Sequence, residues 1–203
     1  RGINFIDTAE IYSIPPRAET QGATERIIGS WLEKRKNREK IIIATKVSGR
    51  GDAIWLRSGG LPTVLDEKNI NFALDGSLKR LKTDYIDLYQ IQWPNPSVPL
   101  EETIEALMKL LDTKKIRYAG VCNFTSSQLK QAQNFSETRI STVQVEYSLT
   151  NRLIEKELAR FRHRQPENVG QIFAPVGYRQ DMVVEAPAIA GRTDDGHLAK
   201  KRQ

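Results

Sequence analysis

The sequence predicts an α/β protein built from parallel βα units, and three observations carry that expectation. Five β-rich runs fall between residues 3 and 148. A segment with apolar residues at helical spacing follows each of them. The run at residues 41–45 is apolar throughout, as a strand covered on both faces should be. Two architectures satisfy the pattern, an open doubly wound sheet and a (β/α)8 barrel. Neither G-x-G-x-x-G nor G-x-x-x-x-G-K-[ST] occurs, which weighs against the doubly wound sheet without removing it. A complete barrel takes about 250 residues, so five units make only part of one.

In chain order, the first run is Ile3-Asn4-Phe5-Ile6, closed by the polar Asp7-Thr8. Ile27, Ile28, Trp31 and Leu32 then recur at helical spacing and lead into the basic turn Lys34 to Arg38, where cations complement a helix dipole. After the second run, Ile41 to Thr45, Ile70, Leu74, Leu78 and Leu81 form a helical stripe with Asp66 placed to cap it. Tyr85 to Trp93 reads as the third strand, with Ile104, Leu107, Met108 and Leu111 as its helix. Ile116 to Phe124 is the fourth strand, Ser126 to Phe135 a weaker helical segment, and Thr142 to Ser148 the fifth strand. Ile154, Leu158 and Phe161 supply a closing helical stripe.

Past Gln165 the alternation stops. Pro166, Gly170, Pro175, Gly177, Pro187, Gly191 and Gly196 cut the remainder into pieces too short for a helix, and only Gln171–Val176 and Met182–Val184 are strand-like. Residues 1–164 are therefore expected to form a partial βα domain. Residues 165–203 are expected to form an irregular tail, either disordered or an aberrant stretch standing where a sixth unit should close. The chain begins at Arg1 rather than at a methionine, which makes a fragment of a longer protein the expectation.

With 39% hydrophobic and 28% charged residues the composition is that of an ordinary globular protein, which excludes wholesale disorder. The lone cysteine, Cys122, excludes an internal disulfide framework, and with His163 and His197 as the only histidines no metal site is expected. No apolar run reaches about 18 residues, so no membrane span is expected, and a soluble intracellular, cytoplasmic protein is the reading. The net charge of +6 suits an anionic partner, but the basic residues are scattered instead of gathered with aromatics on one face. Nucleic acid is therefore not expected as a partner. Oligomeric state is left open.

Functional groups of parallel βα folds collect at the carboxyl ends of the strands. Here those positions hold Asp7, Lys46, Gln92 and Asn123, with Gln144 and Glu146 inside the fifth strand and Tyr12 in the loop after Asp7. Asp, Lys and Tyr in one pocket make chemical sense. A phenol titrates near about 10; a neighbouring ammonium lowers that value, and a carboxylate keeps the ammonium charged and oriented. The product is an acid suited to protonating a carbonyl oxygen. Asn123 and Gln144 offer amides able to grip another amide. Each residue also has a plainer role open to it: a structural ion pair, a loop aromatic, a turn former.

These residues lie in recognisable blocks. RGINFIDTAEIY at the start resembles the aspartate-to-tyrosine motif of the aldo-keto reductases. IIIATKV with Lys46, LKRLKTDYIDLYQIQWP, KIRYAGVCNF and VQVEYSLTNR continue the likeness in the family's order over residues 1–152. The insertion IPPRAETQGATERIIGSWL is similar to the Tas-type branch. The resemblance implies a (β/α)8 TIM-type barrel, here truncated, that binds NADPH/NADP+ across its carboxyl-end face and reduces a small-molecule aldehyde or ketone. It assigns Tyr12 as general acid, Asp7 and Lys46 as the pair that tunes it, and Asn123 and Gln144 as the grip on the nicotinamide carboxamide. Asp7 and Cys122 complete that cofactor-binding set, Cys122 standing where the family usually has serine.

Gln92 stands where the family's fourth catalytic residue is a histidine. Its amide donates a hydrogen bond but carries no charge and relays no proton, so slower chemistry is expected, by about 10²–10³. The blocks that follow residue 152 in the family, which stack on the nicotinamide and hold the adenosine 2′-phosphate, do not follow here. The family's first barrel strand is expected before Arg1. Two other readings accompany the oxidoreductase: a non-catalytic nucleotide-binding partner subunit, and an inactive fragment from a broken reading frame.

Overall fold

The computed structural model describes residues 2–49, 53–136, 140–146, 152, 170–174 and 183–185, the last two segments as strands. Strands β1 (Phe5–Asp7), β2 (Ile42–Val47), β3 (Ile86–Ile91), β4 (Ile116–Cys122), β5 (Thr142–Glu146) and β6 (Gly170–Ala174) pair in parallel in chain order. A short β7 (Val183–Glu185) returns antiparallel along β6. A doubly wound sheet reverses its strand order at a switch point. The unbroken progression from β1 to β6 is that of a barrel wall, which decides between the two architectures. Strands β6 and β7 occupy the two strand-like runs of the glycine- and proline-broken tail. The stripe of Ile154, Leu158 and Phe161 lies outside the described residues, as do residues 147–148 of the fifth run.

Helices α1 (Ala23–Arg35), α2 (Glu67–Leu81), α3 (Leu100–Asp112) and α4 (Ser126–Asn134) link successive strands. Because side chains alternate across a strand, Ile43 and Val47, Tyr89 and Ile91, Ala119 and Val121, and Val143 and Val145 all join one core with Leu32, Leu74, Leu107 and Leu129 of the helices. The opposite face carries Ala44 and Leu88, packed with Phe5 and Tyr118. Local chemistry sets the helix starts. Asp66 accepts a hydrogen bond from the Asn69 backbone N–H (2.7 Å), as its position before α2 predicts. Thr125 and Gln128 form a reciprocal capping box at α4.

The first helix departs from expectation. Its Ile27 and Trp31 are exposed, and the buried face is Glu25, Gly29 and Leu32. The reason is a close helix crossing. A Cβ on Gly29 would collide with the carbonyl oxygen of Arg80 and with backbone atoms of Leu81, at the end of α2. That approach keeps Leu32 and Ile28 on the core, turns Ile27 and Trp31 outward and leaves Glu25 buried, where it accepts hydrogen bonds from Thr45 Oγ1 and Arg80 Nε, both at 2.6 Å. Gly29→Ala gains about 1 kcal/mol of helix propensity but forces the two backbones apart, at about 1–3 kcal/mol for overpacking. The expected outcome is net destabilisation, read as a lower denaturation midpoint with unchanged slope in a urea titration.

Arg38, in the basic turn, is structural. Arg38 donates to the carbonyls of Ile41 (2.7 Å) and Tyr85 (2.9 Å) and pairs with Asp87 at 2.7 Å. Arg117 meets the same carboxylate at 2.9 Å, and the two guanidiniums bracket the Tyr85 ring. Among the described residues no helix is long and apolar enough to cross a membrane. Among them, too, no three His, Cys, Asp or Glu side chains stand where they could hold a metal ion.

Candidate active site

Parallel register lines up one row of inward positions, Lys46 beside Gln90, Gln90 beside Gly120 and Gly120 beside Thr142, with Cys122 beside Gln144 one step above. Gly120 is required in that row. A Cβ there would strike Thr142 Oγ1, which instead reaches across to donate to Gln90 Oε1 at 3.2 Å. Above this floor, at the carboxyl ends of the strands, Tyr12, Lys46, Gln92, Cys122, Asn123 and Gln144 line one cleft of about 140 Å³. Six of the seven residues singled out from sequence thus meet in one place. The seventh, Asp7, sits behind Lys46 and bonds to two of the lining side chains.

Lys46 is the pivot. Its Nζ donates to Asp7 Oδ2 at 2.7 Å and to the Thr8 carbonyl at 2.8 Å, and its side chain is 2% exposed. Burial by itself pushes the ammonium pKa down; the Asp7 carboxylate, with Tyr12 behind it, outweighs burial and the net shift is upward. Lys46 therefore remains charged. The same Nζ lies 5.2 Å from the centroid of the Tyr12 ring.

Tyr12 corrects one expectation. Burial raises the phenol pKa above its ordinary value; Lys46 pulls it down, as expected, but does not win. The neighbouring Asp7 charge adds to the upward side. In the free protein the phenol is consequently a firmly protonated donor, not one with a depressed pKa.

A thiol and an amide form a chain to the same carboxylate. Cys122 Sγ donates to Gln144 Oε1 at 3.3 Å, and Gln144 Nε2 donates to Asp7 Oδ2 at 3.3 Å. Burial pushes the Cys122 thiol up to about 12, so it is a neutral donor and not a nucleophile. Asn123 has a left-handed backbone (φ 59°), which turns the chain out of β4 and aims Nδ2 at the Gln92 carbonyl, 2.8 Å away. It therefore forms the turn and braces the site at once. The Gln92 side-chain Oε1 is buried and accepts no hydrogen bond among the described residues.

Sequence reasoning missed Trp93 and Val145 as cleft walls and gave Glu146 no role, although all three line the same space. Adjacency to Gln92 and Gln144 was the available signal. A larger cavity of about 560 Å³ lies at the opposite strand ends, around Tyr85, Arg117 and Tyr118, and contains none of the candidate residues.

A model of the aldo/keto reductase family matches residues 1–177. The chain is 45% identical over 182 residues to the protein Tas of Escherichia coli, covering 78% of this chain and 52% of Tas. It is 36% identical over 158 residues to the aldo-keto reductase YhdN of Bacillus subtilis, covering 78% of this chain and 44% of that one. Its structure is similar to that of a thermostable aldo-keto reductase in complex with the inhibitor epalrestat, with TM-score 0.67, 36% identity, and coverage of 82% of this chain and 53% of the other. An aldo/keto reductase from Klebsiella pneumoniae in complex with NADP and acetate matches with TM-score 0.63 and 30% identity, over 82% of this chain and 51% of that one. The chain spans about half the length of the curated relatives it matches.

Proposed function

The chain belongs to the aldo/keto reductase family, and from that premise we propose that the protein is an NADPH-dependent oxidoreductase that reduces aldehydes or ketones to alcohols. The observation that carries the reading is the Asp7–Lys46 ion pair set against the Tyr12 ring at the wall of one cleft. A reduced nicotinamide bound there would supply hydride to the carbonyl carbon. The donor set fits such a group. After its bonds to Asp7 and Cys122, Gln144 retains one N–H and a lone pair, and Asn123 retains its carbonyl oxygen. Those are the complements of a carboxamide, and the Cys122 S–H, given to Gln144, holds that amide in place.

On this reading Tyr12 places its O–H against the substrate oxygen and delivers the proton as negative charge develops there. Lys46 stabilises the phenolate left behind, and Asp7 fixes Lys46 in the charged form. Gln92 contributes a hydrogen bond to the same oxygen and no proton. The cleft walls at Trp93 and Val145 exclude water from the reacting carbonyl. The test is NADPH oxidation by the purified chain over a panel of aldehydes and ketones, run beside Tyr12→Phe. Turnover lost in that variant supports the reading, and equal turnover in both refutes it.

The site also sets a pH dependence. Tyr12 acts in its protonated form and burial raises its pKa, so kcat/KM for reduction should stay flat through neutrality and fall only above about pH 10. Gln92 does not titrate, so no acid limb near about 6.5, where an imidazole would act, is expected. A pH–rate profile with an imidazole-like limb would contradict this.

A further inference from the structure

We propose that Glu10 and Arg57 are a positioning pair for Tyr12, holding its loop in register with Lys46. The proposal rests on the reading of Tyr12 as general acid. Glu10 precedes Tyr12 by two residues, in the loop that leaves β1, and its side chain is 2% exposed. Arg57 grips it through both ends of the guanidinium, Nη1 to Oε2 at 2.9 Å and Nη2 to Oε1 at 3.1 Å. Glu10 Oε1 also accepts from the Ser48 backbone N–H at 2.7 Å, two residues beyond Lys46. One carboxylate thereby ties the loop of the acid to the strand of the lysine. Backbone bonds continue the clamp: Glu10 N–H to the Lys46 carbonyl at 3.1 Å, and Gln21 Nε2 to the Glu10 carbonyl at 3.2 Å.

Arg57 is itself held. Its Nε donates to Asn69 Oδ1 at 2.9 Å, and Asn69 Nδ2 donates to Asp66, the cap of α2. The loop is thus referenced to a rigid helix. Neither member of the pair lines the active cleft, so neither touches the reacting atoms. The attraction between the two charges by itself adds little to folding, because burying them gives back in desolvation most of what it gains. Ala9 and Ile11, either side of Glu10, pack with Ala53 and with Leu56, next to Arg57, and Tyr12 lies against that cluster. What a forked, buried ion pair adds is a fixed distance and angle, and proton transfer is sensitive to displacements of a fraction of an ångström.

The experiment uses the full chain with Arg57→Met, Arg57→Lys and Glu10→Gln, each paired with its Tyr12→Phe derivative. The Tyr12 phenol is titrated as the ultraviolet difference between each pair, without cofactor. In the parent, burial holds that titration high. In folded Arg57→Met it should move back toward about 10. NADPH-dependent turnover should fall about 10- to 100-fold in kcat, with carbonyl KM within about twofold. Arg57→Lys should restore part of both, because one N–H to Glu10 survives. If Arg57→Met does not fold, the near-isosteric Glu10→Gln gives the same two readings. A folded variant that loses thermal stability but keeps the Tyr12 titration and kcat of the parent overturns the proposal. Full turnover in Tyr12→Phe overturns the general-acid reading instead, and the titration still decides whether the pair positions the ring.

Discussion

Tyr12→Phe is expected to abolish carbonyl reduction, by about 10²–10⁴ in kcat, while NADPH affinity changes little. The substitution removes one oxygen and keeps the ring that packs against Ile11 and its neighbours, so the fold should be unaffected. The groups proposed to hold the carboxamide, Cys122, Asn123 and Gln144, are linked to Asp7 and to the Gln92 backbone and not to the phenol. Binding and proton donation are therefore separable by geometry. Following nucleotide binding by the fluorescence of Trp93, which lines the cleft, alongside steady-state turnover checks both halves. A loss of NADPH affinity as large as the loss of kcat would remove Tyr12 from the general-acid role.

How much of this was legible depended on the range of the interaction. The order of strands followed from local alternation, and the carboxyl-end rule then pointed to Asp7, Lys46, Gln92 and Asn123 before any contact was known. Whether the sheet closes as a barrel or winds doubly is a matter of which strands are neighbours, and no local pattern carries that. Half of the α1 stripe, Ile27 and Trp31, departs from expectation for a related reason, while Ile28 and Leu32 pack on the core. Ile27 and Trp31 advertise an apolar stripe, but a backbone crossing at Gly29 chose the buried side. Tyr12 shows the same limit in electrostatics. Its neighbours follow from the sequence and Lys46 lowers the value as expected, yet Asp7 raises it and the outcome turns on burial, which only the packed cleft supplies. The Glu10–Arg57 pair, 47 residues apart in sequence, left no local trace at all.

Gln92→His is the second large effect, and an increase. The family's histidine contributes a ring N–H and the option of positive charge at the substrate oxygen; the amide of Gln92 offers at most a neutral hydrogen bond. Restoring the imidazole should raise kcat by about 10²–10³, the usual worth of one positioned donor or relay. Two structural facts argue that the change is tolerated. Asn123 binds the backbone carbonyl of residue 92, which the substitution leaves in place. The Gln92 Oε1 is buried with no partner among the described residues, so no intramolecular hydrogen bond from that atom is lost. The imidazole also brings its own signature, a new limb in the pH–rate profile near about 6.5 that the parent lacks. Faster turnover together with that limb would put residue 92 at the reacting oxygen. Unchanged turnover and an unchanged profile would mean that the side chain at 92 faces the cleft without touching the carbonyl, and the slow chemistry expected from the glutamine would need another cause.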